Sequence, residues 1–191
     1  MKYFSSDFHL SHKSVLDWSK RPFKIVEENN QYILDLILST CKKGDDLYFL
    51  GDLSWRDNIY LKYFLSKLKF INFHWILGNH DDPSLELQKL CTTVSNMKEI
   101  KIQKNTTILC HFPMISWNKS HQNSFMLHGH HHIYGESTEE LTQKATGKIL
   151  NVNIELHNYK LWSEDEVIEY MSNRPDNWDY KTKNDSSLTN I

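Results

Sequence analysis

The chain has 191 residues and a mass of 22.8 kDa, room for one domain or at most two small ones. Hydrophobic residues make up 39% and aromatics 13%, enough for a sizeable core, which excludes global disorder. A net charge of −2 and a pI near 6.6 speak against the basic surface that sequence-independent duplex binding needs.

Lys2–Ser6 reads as a short buried strand running directly into Asp7. Glu28–Lys43 carries Ile33, Leu34, Ile37 and Leu38 at the spacing of one helix face, and Gly44 stops it. Asp46–Leu50 is a second apolar strand, ending at Gly51-Asp52. Asn58–Phe70 returns to helical spacing through Ile59, Tyr63, Phe64 and Leu68. Asn72–Leu77 predicts a third strand, which ends at Gly78-Asn79-His80-Asp81. Pro83 opens a short helix to about Leu90. The texture then changes. Met97–Gln103, Thr106–Cys110, Ser124–His128 and Ile149–Leu156 are strand-like, with a tight turn at Lys104-Asn105. Ser163 and Glu166 have the spacing of a capping box for a last helix to about Met171.

Strand–helix–strand–helix–strand followed by a strand-rich half predicts an α/β fold with a largely parallel layered sheet. The expected division is one domain over residues 1–172, then a polar, unpatterned, mobile tail over 173–191. No apolar run approaches the roughly 18 residues of a membrane span. The N-terminal MKYFSSDFHL lacks the apolar stretch of a signal peptide. Cys41, Cys91 and Cys110 are odd in number and widely spaced, unlike a disulfide framework or a zinc knuckle. These features predict a soluble cytoplasmic protein with no membrane partner.

Metal-competent residues recur at the ends of successive apolar strands: Asp7 and His9, Asp52, Asn79 and His80, His111, then His130 and His132. One such residue has a bland explanation; His74, inside an apolar run, reads as a satisfied core histidine. Five segments delivering His, Asp or Asn to strand C-termini do not, because those ends converge on one crevice. Oxygen and nitrogen donors without thiolate suit Mn, Zn or Fe rather than Mg or Ca. Asp52 is the natural bridge between two ions, since its segment supplies no other ligand. Two divalent ions against two carboxylates and a shared hydroxide leave about one positive charge for a phosphate anion. Ions roughly 3.5–4 Å apart would clamp the attacking and leaving oxygens of an in-line displacement.

Asp7-x-His9, Gly51-Asp52, Gly78-Asn79-His80-Asp81, His111 and Gly129-His130-x-His132 resemble the ordered signature of calcineurin-like metallophosphoesterases. Asp7-Phe8-His9-Leu10-Ser11-His12-Lys13 followed by Arg21-Pro22-Phe23 is similar to a small single-domain bacterial and phage branch, and Asn151–Glu155 resembles its closing strand less closely. The Asp-Arg-Gly element of the Ser/Thr protein phosphatases is replaced by Leu53-Ser54-Trp55-Arg56. The resemblance implies a two-sheet β-sandwich flanked by helices. It also implies one ion on Asp7, His9, Asp52 and His132 and a second on Asp52, Asn79, His111 and His130, with Mn²⁺ first and Zn²⁺ or Fe as alternatives. His80 would face the phosphoryl group as general acid or cationic stabiliser. Asp81 would either orient His80 or serve the fold.

Further candidates for substrate contact are Arg56, whose planar fork suits phosphate, and His12 and Lys13 at the cleft mouth. Trp117, Asn118 and His121 would form a substrate wall or pack within their own loop. His128 reads as core or as support for the ligands, and His131 as outward-facing. The expected function is a binuclear metal-dependent phosphoesterase in which a metal-activated hydroxide attacks phosphorus. The expected substrate is a small phosphodiester or phosphomonoester, nucleotide-derived among the options. One alternative is a nuclease on the same scaffold, served by a basic patch from Lys13, Lys20, Arg21 and Lys24. The other is a partner-binding scaffold with a degraded metal site.

Overall fold

A computed structural model describes residues 1–56, 59–132 and 147–177. The first half is built as expected, from strands alternating with helices. Strand β1 (Lys2–Ser5) leads through helix α1 (Lys13–Trp18) and α2 (Val26–Thr40) to β2 (Asp46–Leu50). Helix α3 (Ile59–Lys67), β3 (Asn72–Ile76), α4 (Leu85–Gln88) and β4 (Thr93–Ser95) follow. Then come β5 (Met97–Ile102), β6 (Asn105–Cys110), β7 (Phe125–His128), β8 (Ile149–Asn151), β9 (Trp162–Ser163) and α5 (Glu164–Ser172).

These strands form two sheets. The first runs β4-β3-β2-β1-β9, parallel except for β9, and the second runs β5-β6-β7-β8, parallel except for β5. The period-two geometry of a strand explains the layering. On β2, Leu47 and Phe49 face the helices with Phe8, Ile33 and Phe64. Tyr48 and Leu50 face the other way, against Leu109, Phe125, Leu127 and Leu150 of the second sheet. On β6 and β7, Ile108, Cys110 and Met126 form a third apolar layer with Trp117 on the outer face. The result is a two-sheet sandwich flanked by helices, the expected fold class.

Four local expectations are corrected. The predicted strand Ile149–Leu156 stops at Asn151, because side chains capture the backbone: Asn151 Oδ1 accepts from Asn153 N at 3.0 Å, and Asn153 Oδ1 accepts from Glu155 N at 2.9 Å. A 3₁₀ turn over Ile154–His157 follows. Helix α2 ends at Thr40, with Cys41 already extended. The β5–β6 turn is at Gln103-Lys104, where Gln103 takes φ +50° and Asn105 pairs back with Ile102. The expected tail from Asn173 is held down as far as Asn177, whose side chain is buried and donates to Ile115 O at 2.8 Å. Residues 178–191 lie outside the described residues. Helix α1 and the short strands β4 and β9 carry too few residues for a periodic signal.

The capping box at Ser163 forms as expected, with Glu166 N donating to Ser163 Oγ and Ser163 N to Glu166 Oε2. Ser163→Ala should cost about 1 kcal/mol of stability, the usual loss for a removed N-cap, measured by urea denaturation. An unchanged midpoint would contradict this.

Candidate metal centre

The parallel strands end together, and each end turns abruptly. Asp7, His9, Asp52 and His130 all sit at left-handed φ, between +47° and +72°. Such residues cost roughly 1–3 kcal/mol each unless their surroundings over-determine them. Here a ladder does so: Asp7 N donates to Gly51 O at 2.9 Å, His9 N to Asp52 O at 3.0 Å and Leu10 N to Leu53 O at 2.9 Å. Ser6 bridges to Asn153, tying the first sheet to the segment that follows β8. Glycine is required where loops close on the carboxylates. A Cβ on Gly129 would lie 2.6 Å from Asp7 Oδ2, and one on Gly78 would collide with the Asp52 carboxylate.

The side chains converge as two groups of donors. In the first, His9 Nε2 and His132 Nε2 are 3.1 Å apart, and His132 Nε2 is 3.4 Å from Asp7 Oδ1. In the second, Asn79 Oδ1 lies 3.0 Å from His111 Nε2 and 3.1 Å from His130 Nδ1. A single atom, Asp52 Oδ2, faces both: it is 3.7 Å from His9 Nε2 and 3.5 Å from His111 Nε2. Asp7, His9 and His132 have ligand atoms close enough to share an ion, and so do Asp7, Asp52 and His111. Asp7 therefore stands in both compact groups, a position that sequence reasoning gave to Asp52 alone. The seven expected ligand residues meet in one place.

The donor chemistry fits divalent ions. His111 Nδ1 lies 2.8 Å from Leu50 O, which can only accept; the proton therefore sits on Nδ1 and the Nε2 lone pair points inward. His132 Nδ1 lies 3.0 Å from Glu155 Oε2, so Nδ1 keeps its proton and Nε2 is the atom that faces inward. Burial opposes charge on Asp7, but the hydrogen bond and charge of His132, with His111 and His9, hold its carboxyl well below the usual range. Burial pushes Asp52 up to about 6, against the pull of His111. Burial lowers His9 and His130, keeping them neutral, the form that can ligate. Burial also lowers His132, but Asp7 and Glu155 outweigh it and raise it to about 9.

His80 is placed differently. Its side chain is 38% exposed, with Nε2 3.9 Å from Asp52 Oδ2, while its backbone N donates to Asp52 Oδ1 at 3.0 Å. Asp81 takes the structural one of its two expected roles. Its carboxylate accepts from the backbone N of Asp52 at 2.7 Å, of Leu53 at 2.9 Å and of Gly78 at 2.9 Å, and from Trp75 Nε1 at 3.0 Å. His12 stacks on Trp55 with ring centroids 4.3 Å apart, and its Nδ1 is 3.3 Å from His9 Nδ1. Lys13 is exposed at the start of α1 and makes no hydrogen bond or ion pair with these donors. Arg56 lies over the Trp55 ring and lines a small hollow with His80.

Other histidines and loop residues resolve simply. His74 is a satisfied core residue between Asp46 and Thr93. His128 is buried and held by Gly129 O, and burial lowers it to about 4. His131 is half-buried rather than fully outward, and its carbonyl accepts from Asn151 and Asn153. Trp117 packs in its own loop, its Nε1 donating to Ser124 Oγ at 2.9 Å, so it is not a substrate wall; Asn118 bonds Glu99 and His121 is exposed. Arg21 is no part of a surface basic patch, because it is buried against Glu155. Sequence reasoning missed both as site residues. The signal available was Arg21 itself, one of three arginines in the chain.

Asp81→Ala should destabilise the fold by at least about 3 kcal/mol in chemical denaturation, since each buried donor left unpaired costs roughly 1–3 kcal/mol; a smaller loss would contradict its role. Metal uptake should release protons, because Asp52 and His132 must each lose one to offer a lone pair. Affinity for Mn²⁺, measured by calorimetry, should therefore rise with pH from about 5.5 to 7.5. A flat profile would contradict these ionisation states.

The calcineurin-like phosphoesterase family profile matches residues 3–189. An uncharacterized protein of Methanocaldococcus jannaschii is 28% identical over 169 residues, 87% of this chain and 89% of the relative. The crystal structure of a protein of unknown function from Aquifex aeolicus is similar with a TM-score of 0.71 and 25% identity, covering 88% of this chain and 98% of its own. A phosphoesterase from E. coli is similar with a TM-score of 0.42 and 18% identity, covering 80% of this chain and 77% of its own. With the profile spanning nearly the whole chain, this protein belongs to the calcineurin-like phosphoesterases.

Proposed function

We propose that the chain is a binuclear metal-dependent phosphoesterase acting on a small phosphodiester or phosphomonoester, nucleotide-derived substrates among them. The observation that carries this is Asp52 Oδ2, one carboxylate oxygen set between two groups of imidazole and amide donors. Asp7, His9, Asp52 and His132 would hold one ion, and Asp52, Asn79, His111 and His130 the other, with Mn²⁺ preferred and Zn²⁺ or Fe as alternatives. Two such ions supply Lewis acidity and a water of lowered pKa.

The protein's own residues do the rest. His80, the most open of the site imidazoles, donates a proton to the leaving oxygen. Its tie to Asp52 through the backbone fixes where that proton is offered. Trp55 and Phe112, 39% and 46% exposed, stand beside His80 and His130 and give a substrate's organic groups somewhere to pack. Arg56 meets phosphate charge in the hollow it shares with His80. Arg21 is sequestered, which removes one charge from the patch a nuclease would use. The complete donor set favours an enzyme over a partner-binding scaffold. Free Cys41, Cys91 and Cys110 suit a reducing compartment, and we place the protein in the cytoplasm. No helix among the described residues is long and apolar enough to cross a membrane.

Chelated protein should be inactive against a panel of phosphomonoesters, cyclic nucleotides and short oligonucleotides, and Mn²⁺ should restore turnover with about two ions per chain. Turnover that survives exhaustive chelation would sink the reading. His80→Ala should keep its metals and lose about 10²–10⁴ in rate on alkyl or nucleoside esters. The loss on p-nitrophenyl esters, whose leaving group needs little protonation, should be mild; equal losses would make His80 an electrostatic stabiliser instead.

A further inference from the structure

Arg21 is buried, and its guanidinium is fully engaged. Nε and Nη2 approach Glu155 Oε1 at 2.9 and 2.7 Å. Nη2 also donates to Asp7 O at 2.7 Å, and Nη1 donates to Phe8 O at 2.8 Å and to Asn29 Oδ1 at 3.0 Å. The other Glu155 oxygen, Oε2, receives His132 Nδ1 at 3.0 Å. An unbroken chain therefore runs from the backbone that carries Asp7, through Arg21 and Glu155, to the ring of His132. Both of its ends are donors of the same group.

An ion pair this deeply buried is weak evidence for stability, because desolvation offsets most of the attraction. Its geometry has a clearer consequence. Ser19 Oγ and Asn153 Nδ2 also approach His132 Nδ1, each at 3.3 Å, but the Asn153 amide already has His131 O as an acceptor. The carboxylate is the closer partner and accepts only, so it keeps the proton on Nδ1 and leaves Nε2 facing His9 and Asp7.

We propose that Arg21 and Glu155 are positioning residues that preset the Asp7–His9–His132 half of the cradle. Glu155 fixes the proton and plane of the His132 ring, and Arg21 locks Glu155 to the main chain carrying Asp7. The inference rests on the metal-dependent reading above and adds to it a division of labour: one half of the centre is preorganised by a buried ion pair, the other by main chain through Leu50 O and His111.

Glu155→Gln and Arg21→Lys separate this from bulk stability. Arg21→Lys keeps the charge but loses the fork that spans a carboxylate and two carbonyls. Calorimetric Mn²⁺ titration of each folded variant should show one site weakened by about 10- to 100-fold and the other by less than about threefold. Anomalous scattering from Mn²⁺-soaked crystals should place the loss at His132. Loss at both sites alike, or at neither, overturns the proposal. Should a variant fail to fold, ¹⁵N NMR of Zn²⁺-loaded wild type decides: His132 protonated on Nδ1 and bound through Nε2 is expected, and binding through Nδ1 overturns it. Wild type that takes up no metal overturns this inference and the proposed function together. Two tight sites in wild type and an unchanged Glu155→Gln overturn the inference alone.

Discussion

Two buried carboxylates of like charge, Asp7 and Asp52, end neighbouring parallel strands, and much of the surrounding structure serves to make that tolerable. A buried anion costs several kcal/mol unless hydrogen bonds and opposite charge offset it. Asp7 is supplied with the His130 backbone N–H, the Ser6 hydroxyl and the His132 imidazole, and stays ionised. Asp52 has His80 N and the more distant imidazoles, and its rise to about 6 shows the shortfall. The same shortfall makes the centre a place for cations, because divalent charge there meets carboxylate oxygen and imidazole nitrogen already facing inward.

Holding that arrangement requires chain geometry that few residues accept. Four of the converging residues, Asp7, His9, Asp52 and His130, are left-handed, and glycines lie where any side chain would strike a carboxylate or an imidazole. What keeps the loops from relaxing is a third carboxylate, Asp81, which gathers backbone N–H groups from the ends of β2 and β3. Burial raises its pKa and these donors lower it, so its hydrogen bonds are what make an anion there acceptable. Fold and site are thus coupled through main-chain donors rather than through the apolar layers, which position the strands but do not aim the ligands.

The residues that converge at the centre are legible in the sequence as candidates because apolar runs end on them and strand ends converge, whereas their division into seven ligands and His80 is what the family resemblance implies. Long periodic segments such as Glu28–Lys43 were legible for the same reason, although the helix ends at Thr40, where hydrophobic spacing carries no stop signal. Ile149–Leu156 was misread beyond Asn151, since apolar spacing is blind to asparagine side chains that capture their own backbone. Glu155 and Arg21 were not legible as a pair. They lie 134 residues apart, and only the approach of the segment after β8 to the end of β1 brings them together. Sequence adjacency to His80 says nothing of where the Asp81 carboxylate points, and only the main-chain donors around it separate its two roles.

The rim differs in kind from this rigid floor. Trp55, His12 and Phe112 sit on turns outside the sheets, and their contacts are ring against ring rather than buried ionic bonds. Such contacts are worth about 0.5–1.5 kcal/mol each, well below the cost of disturbing a buried carboxylate. Rim residues can therefore change without unmaking the centre. His80 joins the two regimes. Its backbone is fixed to the shared carboxylate and its ring stands half in the open between His9 and Trp55. Under the proposed function, that position would offer a proton to the leaving group that the rim admits.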